Sequence, residues 1–138
     1  MFLQAASELG AQRPLAVGDR LDTDIAGAVA AGIPALHVLT GVSGPLALLE
    51  APKELRPTFI AEDMRGLLAD KGELKPSAQG GFGARIDGGD IILSYGNPDA
   101  TSVQALRTVL EVAWMMDAPP ELVRPNSEAA EAATADWW

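Results

Sequence analysis

Three aspartates stand close together after a short apolar run. Asp19, Asp22 and Asp24 follow residues 15–18, which read Leu-Ala-Val-Gly. A carboxylate directly after a buried parallel strand projects over the carboxyl edge of the sheet, where open α/β sheets bind ligands. Carboxylate oxygens suit Mg²⁺, with Asp19 as the ligand and Asp24 as a supporting acid that binds loop amides or metal-bound water. Aspartates also cap helices and loops, so spacing alone leaves a metal site and simple capping as equal alternatives.

The composition excludes several other kinds of site and partner. The 138 residues include no cysteine and a single histidine, His37, which excludes disulfide scaffolds, cysteine-ligated zinc, thiol nucleophiles and multi-histidine metal centres. A formal net charge of −9 argues against nucleic acid and anionic membranes as partners. We see no signal peptide, and the weakly polar stretch 25–39 is too interrupted to span a membrane, so we expect a cytoplasmic protein.

The elements predicted around the aspartates alternate between apolar strands and short helices. The alternation is typical of a parallel sheet with helices on both faces, so the first half is predicted to be α/β. An earlier helix is indicated by the spacing of Phe2, Leu3, Ala6 and Leu9. Strands are expected at 15–17, 35–40 and 58–61, and helices up to Ala31, near 46–49 and at 62–70.

The composition changes in the second half. Glycine-rich residues 72–83 predict a linker, and residues 84–95 predict a β-hairpin that turns at Gly88 and Gly89. A helix is predicted over 101–116, which makes a small α+β hairpin-plus-helix unit. Residues 127–138 read as a flexible acidic tail that ends in frayed tryptophans. A hairpin and one helix bury too little to be stable alone, so this unit must dock on something.

Residues 16–28 and 38–43 resemble the fourth motif region of the haloacid dehalogenase (HAD) superfamily. The shared segments read Gly-Asp-Arg-Leu-Asp-Thr-Asp-Ile and Leu-Thr-Gly-Val-Ser, and residues 57–67 are similar to the end of that catalytic domain. The branch it most resembles contains nitrophenyl-, phosphoglycolate- and glycerol-phosphate phosphatases. The resemblance covers residues 1–71 and implies part of a Rossmann-like parallel sheet. It also implies Mg²⁺-dependent hydrolysis of a small phosphorylated metabolite, with Asp19 as metal ligand and Asp24 as supporting acid.

The same resemblance places several catalytic parts far upstream of Asp19. These are the nucleophilic Asp-x-Asp motif, a serine or threonine, a phosphate-binding lysine and the cap, and the 18 residues before Asp19 contain no aspartate and no lysine. We therefore expect no catalytic nucleophile here, no activity from this chain alone, and no substrate-binding residue that the sequence identifies. The chain is then expected to self-associate, or to pair with an N-terminal phosphatase chain. The alternative is a noncatalytic interaction module that pairs through its incomplete sheet edge.

The second half also resembles a known family. Residues 84–126 are similar to a small GNAT-like (acetyltransferase-like) domain in the hairpin, the turn at 96–99 and the helix that contains Trp114. An active acetyltransferase of this kind would bind the pyrophosphate of coenzyme A with the backbone amides of a glycine-rich loop, here called the cradle. Residues 79–84 depart from the sequence pattern of that loop at Phe82, which favours a linker over a cradle. The remaining candidates are given structural interpretations. His37 is expected in the core, Thr40 and Ser43 as turn-forming hydroxyls, and Trp114, Met115 and Met116 as packing residues.

Overall fold

The computed structural model describes residues 15–137, so the helix predicted around residues 2–9 lies outside the described residues. The chain forms two compact units, Met1–Lys71 and Gly72–Trp138, which we call the N-terminal and C-terminal units. Each unit has its own three-stranded sheet. Across residues 15–137, no helix combines the length and the apolar character that crossing a membrane requires.

The N-terminal unit is built on a parallel sheet in the order β1 (Ala16–Gly18), β2 (Ala35–Val38) and β3 (Phe59–Ala61). All four residues of the central strand β2 are buried, as expected for an apolar strand covered on both faces. His37 pairs with Gly18 on one side and with Ile60 on the other. The carboxyl ends of the strands therefore meet at one edge, and the predicted α/β class is confirmed.

The connection from β1 to β2 begins with an unusual helical turn. Leu21–Ile25 is a π-helical turn, in which the Ile25 N–H donates to the Arg20 carbonyl at 3.2 Å, and it continues into α1 (Ala26–Ala30). Leu21 and Ile25 are buried, so the apolar side of the turn faces the core. After β2 follow α2 (Pro45–Glu50) and a 3₁₀-helix at Lys53–Leu55.

The α-helix predicted at 62–70 is wrong. The structure has a 3₁₀-helix at Met64–Leu68, which begins where the Asp63 carboxylate accepts a hydrogen bond from the Arg65 N–H at 2.9 Å. This local cap and the poor helix former Gly66 favour a tight turn over a longer helix. The predicted apolar face is exposed: Leu68 retains 90% of its accessible surface, and Met64 and Leu67 are about half exposed.

The C-terminal unit contains the predicted hairpin. β4 (Phe82–Asp87) pairs antiparallel with β5 (Asp90–Tyr95), and Gly88 at the turn has a φ of 63°, which favours glycine. The helix α4 (Ser102–Ala113) begins with a capping box between Thr101 and Gln104, and it ends three residues earlier than predicted. Beyond its end, Met115 is exposed and does not pack as expected.

The predicted linker at 72–83 is wrong, because these residues belong to the C-terminal unit. A short helix, α3 (Lys71–Leu74), buries Leu74, and β4 already begins at Phe82. Gln79 fastens the segment: its amide donates to the Glu73 carbonyl at 2.7 Å, and its backbone N–H donates to the Thr108 hydroxyl at 3.1 Å. The glycines therefore serve a folded loop.

The predicted flexible tail is also ordered. β6 (Val123–Pro125) adds to β5 in parallel, and α5 (Glu128–Thr134) begins at Ser127, whose hydroxyl accepts from the Ala130 N–H at 3.0 Å. Trp137 is buried, with its indole N–H donating to the Ser102 hydroxyl at 3.0 Å. These two elements complete the core that the hairpin and one helix alone could not bury.

Candidate metal centre

Asp19 and Asp24 occupy space that two glycines leave open. A Cβ atom on Gly18 would lie 2.3 Å from the Asp24 Cβ, and one on Gly41 would lie 1.7 Å from the Asp19 Oδ2. Asp19 follows β1 directly, and Asp24 lies in the π-helical turn after it. The backbone of each glycine therefore packs against an aspartate at the carboxyl end of β1, where any other residue would collide with it.

The aspartates do not act as helix caps. Arg20 holds the N-cap position of the π-helical turn with no side-chain cap, and its guanidinium pairs with both Asp22 oxygens at 2.8 and 3.0 Å. This hydrogen bond lowers the pKa of Asp22. Within residues 15–137, no donor pairs with the carboxylate of Asp19 or Asp24. Of the two alternatives from the sequence, capping is wrong for this turn.

The loop after β2 is fastened across the end of β1 by Ser43. The Ser43 N–H donates to the Asp19 carbonyl at 3.1 Å, and the Ser43 hydroxyl accepts from the Leu21 N–H at 3.2 Å. Ser43 was expected to form a turn, and it instead joins two loops whose residues are more than twenty positions apart. Thr40, the other hydroxyl singled out in the sequence, is exposed.

His37 is completely buried, as predicted. Its Nε2 lies 2.7 Å from the Ser43 carbonyl, which can only accept, so Nε2 carries the proton. Burial lowers the pKa of His37, against the opposite effects of the Ser43 carbonyl and of Asp19 and Asp24. The other ring nitrogen, Nδ1, is buried with no hydrogen-bond partner in the described part of the chain.

The donor set at this edge fits a hard cation in chemistry but is small. Asp19 and Asp24 offer carboxylate oxygens, the ligands that Mg²⁺ prefers. Among the described residues, no group of three or more histidine, cysteine or acidic side chains could enclose a metal ion. Because Mg²⁺ usually keeps several waters and binds through one or two carboxylates, two aspartates suffice for a shared site. The two aspartates alone do not enclose a metal ion.

Comparison with known proteins connects this edge to a family. Residues 1–67 match the family described as HAD-hydrolase-like. The chain is similar to this family over that segment. It contains Asp19, Asp24, His37 and the Gly41–Ser43 loop, so the whole candidate centre lies inside the matched part.

The full chain is similar to one kind of phosphatase. It is 36% identical over 134 residues to the D-glycerol 3-phosphate phosphatase of Mycobacterium tuberculosis, an alignment that covers 89% of this chain and 38% of that protein. Two crystal structures of glycerol phosphate phosphatase from the same organism also match. The magnesium complex has a TM-score of 0.85 at 35% identity, covering 98% of this chain and 40% of that one. The calcium complex has a TM-score of 0.84 at 33% identity, covering 98% and 41%.

These matches support a C-terminal portion of a HAD phosphatase. The 138 residues span about two fifths of the length of the relatives they match. The fold class predicted from the sequence agrees with that of these structures.

Proposed function

We propose that this chain is the C-terminal portion of a Mg²⁺-dependent HAD-type phosphatase that acts on small phosphate monoesters. The observation that carries the proposal is the placement of Asp19 and Asp24 against Gly41 and Gly18 at the carboxyl end of β1. Two crystal structures of a relative named as a glycerol phosphate phosphatase, solved with magnesium and with calcium, support the use of a divalent cation. We place the enzyme in the cytoplasm.

Asp19 is the residue that holds the metal in this proposal. It follows β1 directly, and its carboxylate has no competing hydrogen-bond donor within residues 15–137. Asp24 would be the supporting acid, an acceptor in the π-helical turn for hydrogen bonds from loop amides or from the waters of a bound metal. When bound, Mg²⁺ supplies positive charge to the oxygens of a phosphoryl group. Asp22 has no such role, because Arg20 occupies both of its oxygens.

The chain is proposed to be inactive alone. A covalent phosphatase mechanism needs an aspartate nucleophile that forms an aspartyl-phosphate, and neither proposed site aspartate takes that role. Within residues 15–137, β1 pairs with β2, and no strand pairs with the other side of β1. Such an edge presents unpaired backbone groups to another strand. We propose that a chain carrying the nucleophile binds there, or that copies of this chain associate.

Reconstitution tests the proposed function. The 138-residue chain is mixed with the N-terminal part of the glycerol phosphate phosphatase of Mycobacterium tuberculosis, and hydrolysis of nitrophenyl phosphate and glycerol 3-phosphate is measured with and without Mg²⁺. We expect no turnover from either part alone and turnover from the mixture. Asp19→Asn abolishes it, whereas the matched control Asp22→Asn, in the same loop, retains it.

Sedimentation of the same samples separates the alternatives. A complex without turnover favours a noncatalytic module that pairs through its sheet edge. Mg²⁺-dependent turnover by the chain alone, lost in Asp19→Asn, contradicts the proposed absence of a nucleophile. A monomer that ignores the N-terminal part contradicts the pairing.

For the C-terminal unit we propose a GNAT-like fold without acyltransferase activity. The parallel β5–α4–β6 arrangement next to the antiparallel β4 supports the likeness. A coenzyme A cradle needs free amides, but the capping box of Thr101 and Gln104 already occupies the N–H groups of these two residues at the start of α4. The Gly80 and Gly81 carbonyls accept from the backbone N–H groups of Asn97 and Gly96, which ties this loop to the next. Calorimetry with acetyl-CoA is expected to show no binding, and measurable binding would contradict the proposal.

A further inference from the structure

We propose that His37 is a positioning residue, which holds the Asp19 carboxylate in place through the Gly41–Ser43 loop. The inference rests on the proposed function, because it assumes that Asp19 binds the metal. His37 itself binds neither metal nor substrate in this proposal. Its contribution passes through one hydrogen bond, from the His37 Nε2–H to the Ser43 carbonyl at 2.7 Å.

His37 is held rigidly by its surroundings. It lies in the central strand β2, with Gly18 of β1 and Ile60 of β3 as its neighbours in the sheet. Its side chain has no exposed surface. A buried imidazole on a central strand has few alternative positions, because the close-packed interior around it resists displacement. His37 is therefore a fixed point for anything that it binds.

Hydrogen bonds of Ser43 connect His37 to the end of β1. Both backbone polar groups of Ser43 are hydrogen-bonded: its carbonyl accepts from His37, and its N–H donates to the Asp19 carbonyl at 3.1 Å. The Ser43 hydroxyl accepts from the Leu21 N–H at 3.2 Å. Hydrogen bonds from one serine thus reach the backbone on both sides of Arg20.

The Gly41–Ser43 loop lies directly against the Asp19 carboxylate. Gly41 stands two residues before Ser43, and a Cβ on it would lie within 2.5 Å of three Asp19 side-chain atoms. The backbone of the loop therefore packs against the carboxylate and limits its rotamers. Without the bond to His37, Ser43 loses one of its hydrogen bonds and the loop backbone can move. Asp19 then gains freedom that metal binding must remove.

The residue types of β2 explain why a hydrogen-bond donor is needed at position 37. Buried strands of parallel sheets are mostly aliphatic, and the other three residues of β2 are Ala35, Leu36 and Val38. An aliphatic residue at position 37 would leave the Ser43 carbonyl without this donor. The hydrogen bond to the Ser43 carbonyl explains why the polar residue His37 occupies a fully buried position.

A pair of variants of equal side-chain length tests the proposal in the 138-residue chain. Gln at position 37 can still donate to the Ser43 carbonyl, whereas Met has similar length and no donor. Mg²⁺ is titrated against the ¹⁵N-labelled protein, and the amide shifts of Gly41 and Ser43 give the dissociation constant. We expect His37→Met to weaken Mg²⁺ binding by about tenfold, and His37→Gln to stay within about threefold of the unchanged chain.

Thermal unfolding of both variants separates positioning from general damage. If His37 had only a structural role, both variants would have a lower Tm, and their Mg²⁺ affinity would not depend on whether residue 37 can donate a hydrogen bond. Equal Mg²⁺ affinity in His37→Met and the unchanged chain overturns the proposal, and so does an equal loss in both variants. If the unchanged chain shows no shift that Asp19→Asn removes, the proposed metal role of Asp19 fails, and the inference fails with it.

A measurement without any substitution covers the case in which His37→Met does not fold. Coupling is reciprocal: if the His37 bond favours Mg²⁺ binding, Mg²⁺ must favour the bond. Saturating Mg²⁺ should therefore slow the exchange of the His37 Nε2 proton with water, by about the same factor of ten. The chain has a single histidine, so the signal of this imidazole proton cannot come from another histidine. An exchange rate that Mg²⁺ leaves unchanged overturns the proposal.

Discussion

Gly41→Ala adds one methyl group beside the proposed metal ligand. The new Cβ would lie 1.7 Å from the Asp19 Oδ2, 2.3 Å from its Cγ and 2.5 Å from its Cβ. No positive φ is involved, because Gly41 is not among the residues with left-handed backbone conformations. The perturbation is therefore a steric contact rather than a strained backbone.

The size of the effect follows from these distances. Carbon atoms in contact lie about 3.5–4.0 Å apart, so rotation of the carboxylate is not enough, and the Cβ–Cβ separation must also grow by about 1 Å. Overpacking of this kind costs about 1–3 kcal/mol of unfolding free energy. Mg²⁺ demands ligand distances close to about 2.0–2.1 Å, so a shift of that size displaces Asp19 from a productive position. We expect at least a tenfold weaker Mg²⁺ affinity, which corresponds to about 1.4 kcal/mol.

Gly44→Ala in the same loop is the matched control. No atom lies within 4 Å of a Cβ at Gly44, and its backbone is extended, with a φ of −99°. Because Gly44 is the N-cap of α2, where alanine is less favourable than glycine, the variant should lose about 1 kcal/mol of unfolding free energy, with no change in Mg²⁺ affinity.

The assay combines urea unfolding with titration of Mg²⁺ followed by amide shifts. If Gly41→Ala binds Mg²⁺ as well as Gly44→Ala does, the contact between Gly41 and Asp19 does not shape the site, and the reasoning is refuted.

Three further predictions concern stability and pH. Trp137→Ala should lower the unfolding free energy of the C-terminal unit by about 3–5 kcal/mol in urea denaturation, since the indole is buried, and a loss below about 1 kcal/mol would contradict that packing. Thr101→Ala should cost about 1 kcal/mol in the same assay, and Thr101→Ser should restore most of it, because the N-cap hydroxyl accepts from the Gln104 N–H. Hydrogen bonds from Arg65 lower the pKa of Asp63 to about 2, so their stabilising effect is present above the ordinary value of 3.8 and is lost as the pH falls toward 2. NMR titration of the carboxyl should show this value, and Arg65→Gln should raise it; an unchanged pKa would exclude the pairing.

The local patterns that predicted structure correctly depend on neighbours in the sequence. The hairpin at Gly88 was predictable because two glycines between alternating apolar residues accept the positive φ of a tight turn. The three parallel strands were predictable from short apolar runs that end at turn residues. The helix predicted from residue 101 begins at Ser102, and Thr101 and Gln104 stand at the spacing of a capping box.

The errors came from contacts over long distances in the sequence. The Ala/Glu composition of 127–136 is typical of a solvated tail, and it became a helix because Ser127 binds the Tyr95 carbonyl and Trp137 packs beside Ser102. The glycines of 72–83 indicated a linker, but Gln79 binds Thr108 on α4. Composition carries no information about such partners, since each lies about thirty residues away.

The sequence by itself determined the chemistry that this chain can offer. Without cysteine and with one histidine, its candidate ligands are oxygens, and the order of strand, Asp19 and helix places them at a sheet edge. Tertiary structure decided which carboxylates remain available: Arg20 occupies Asp22, whereas Gly18 and Gly41 make room for Asp24 and Asp19. Gly41 and Asp19 are separated by 22 positions, and only the parallel pairing of β1 with β2 brings them together. Spacing along a chain predicts neighbours within one element, but contacts between elements depend on how the sheet is assembled.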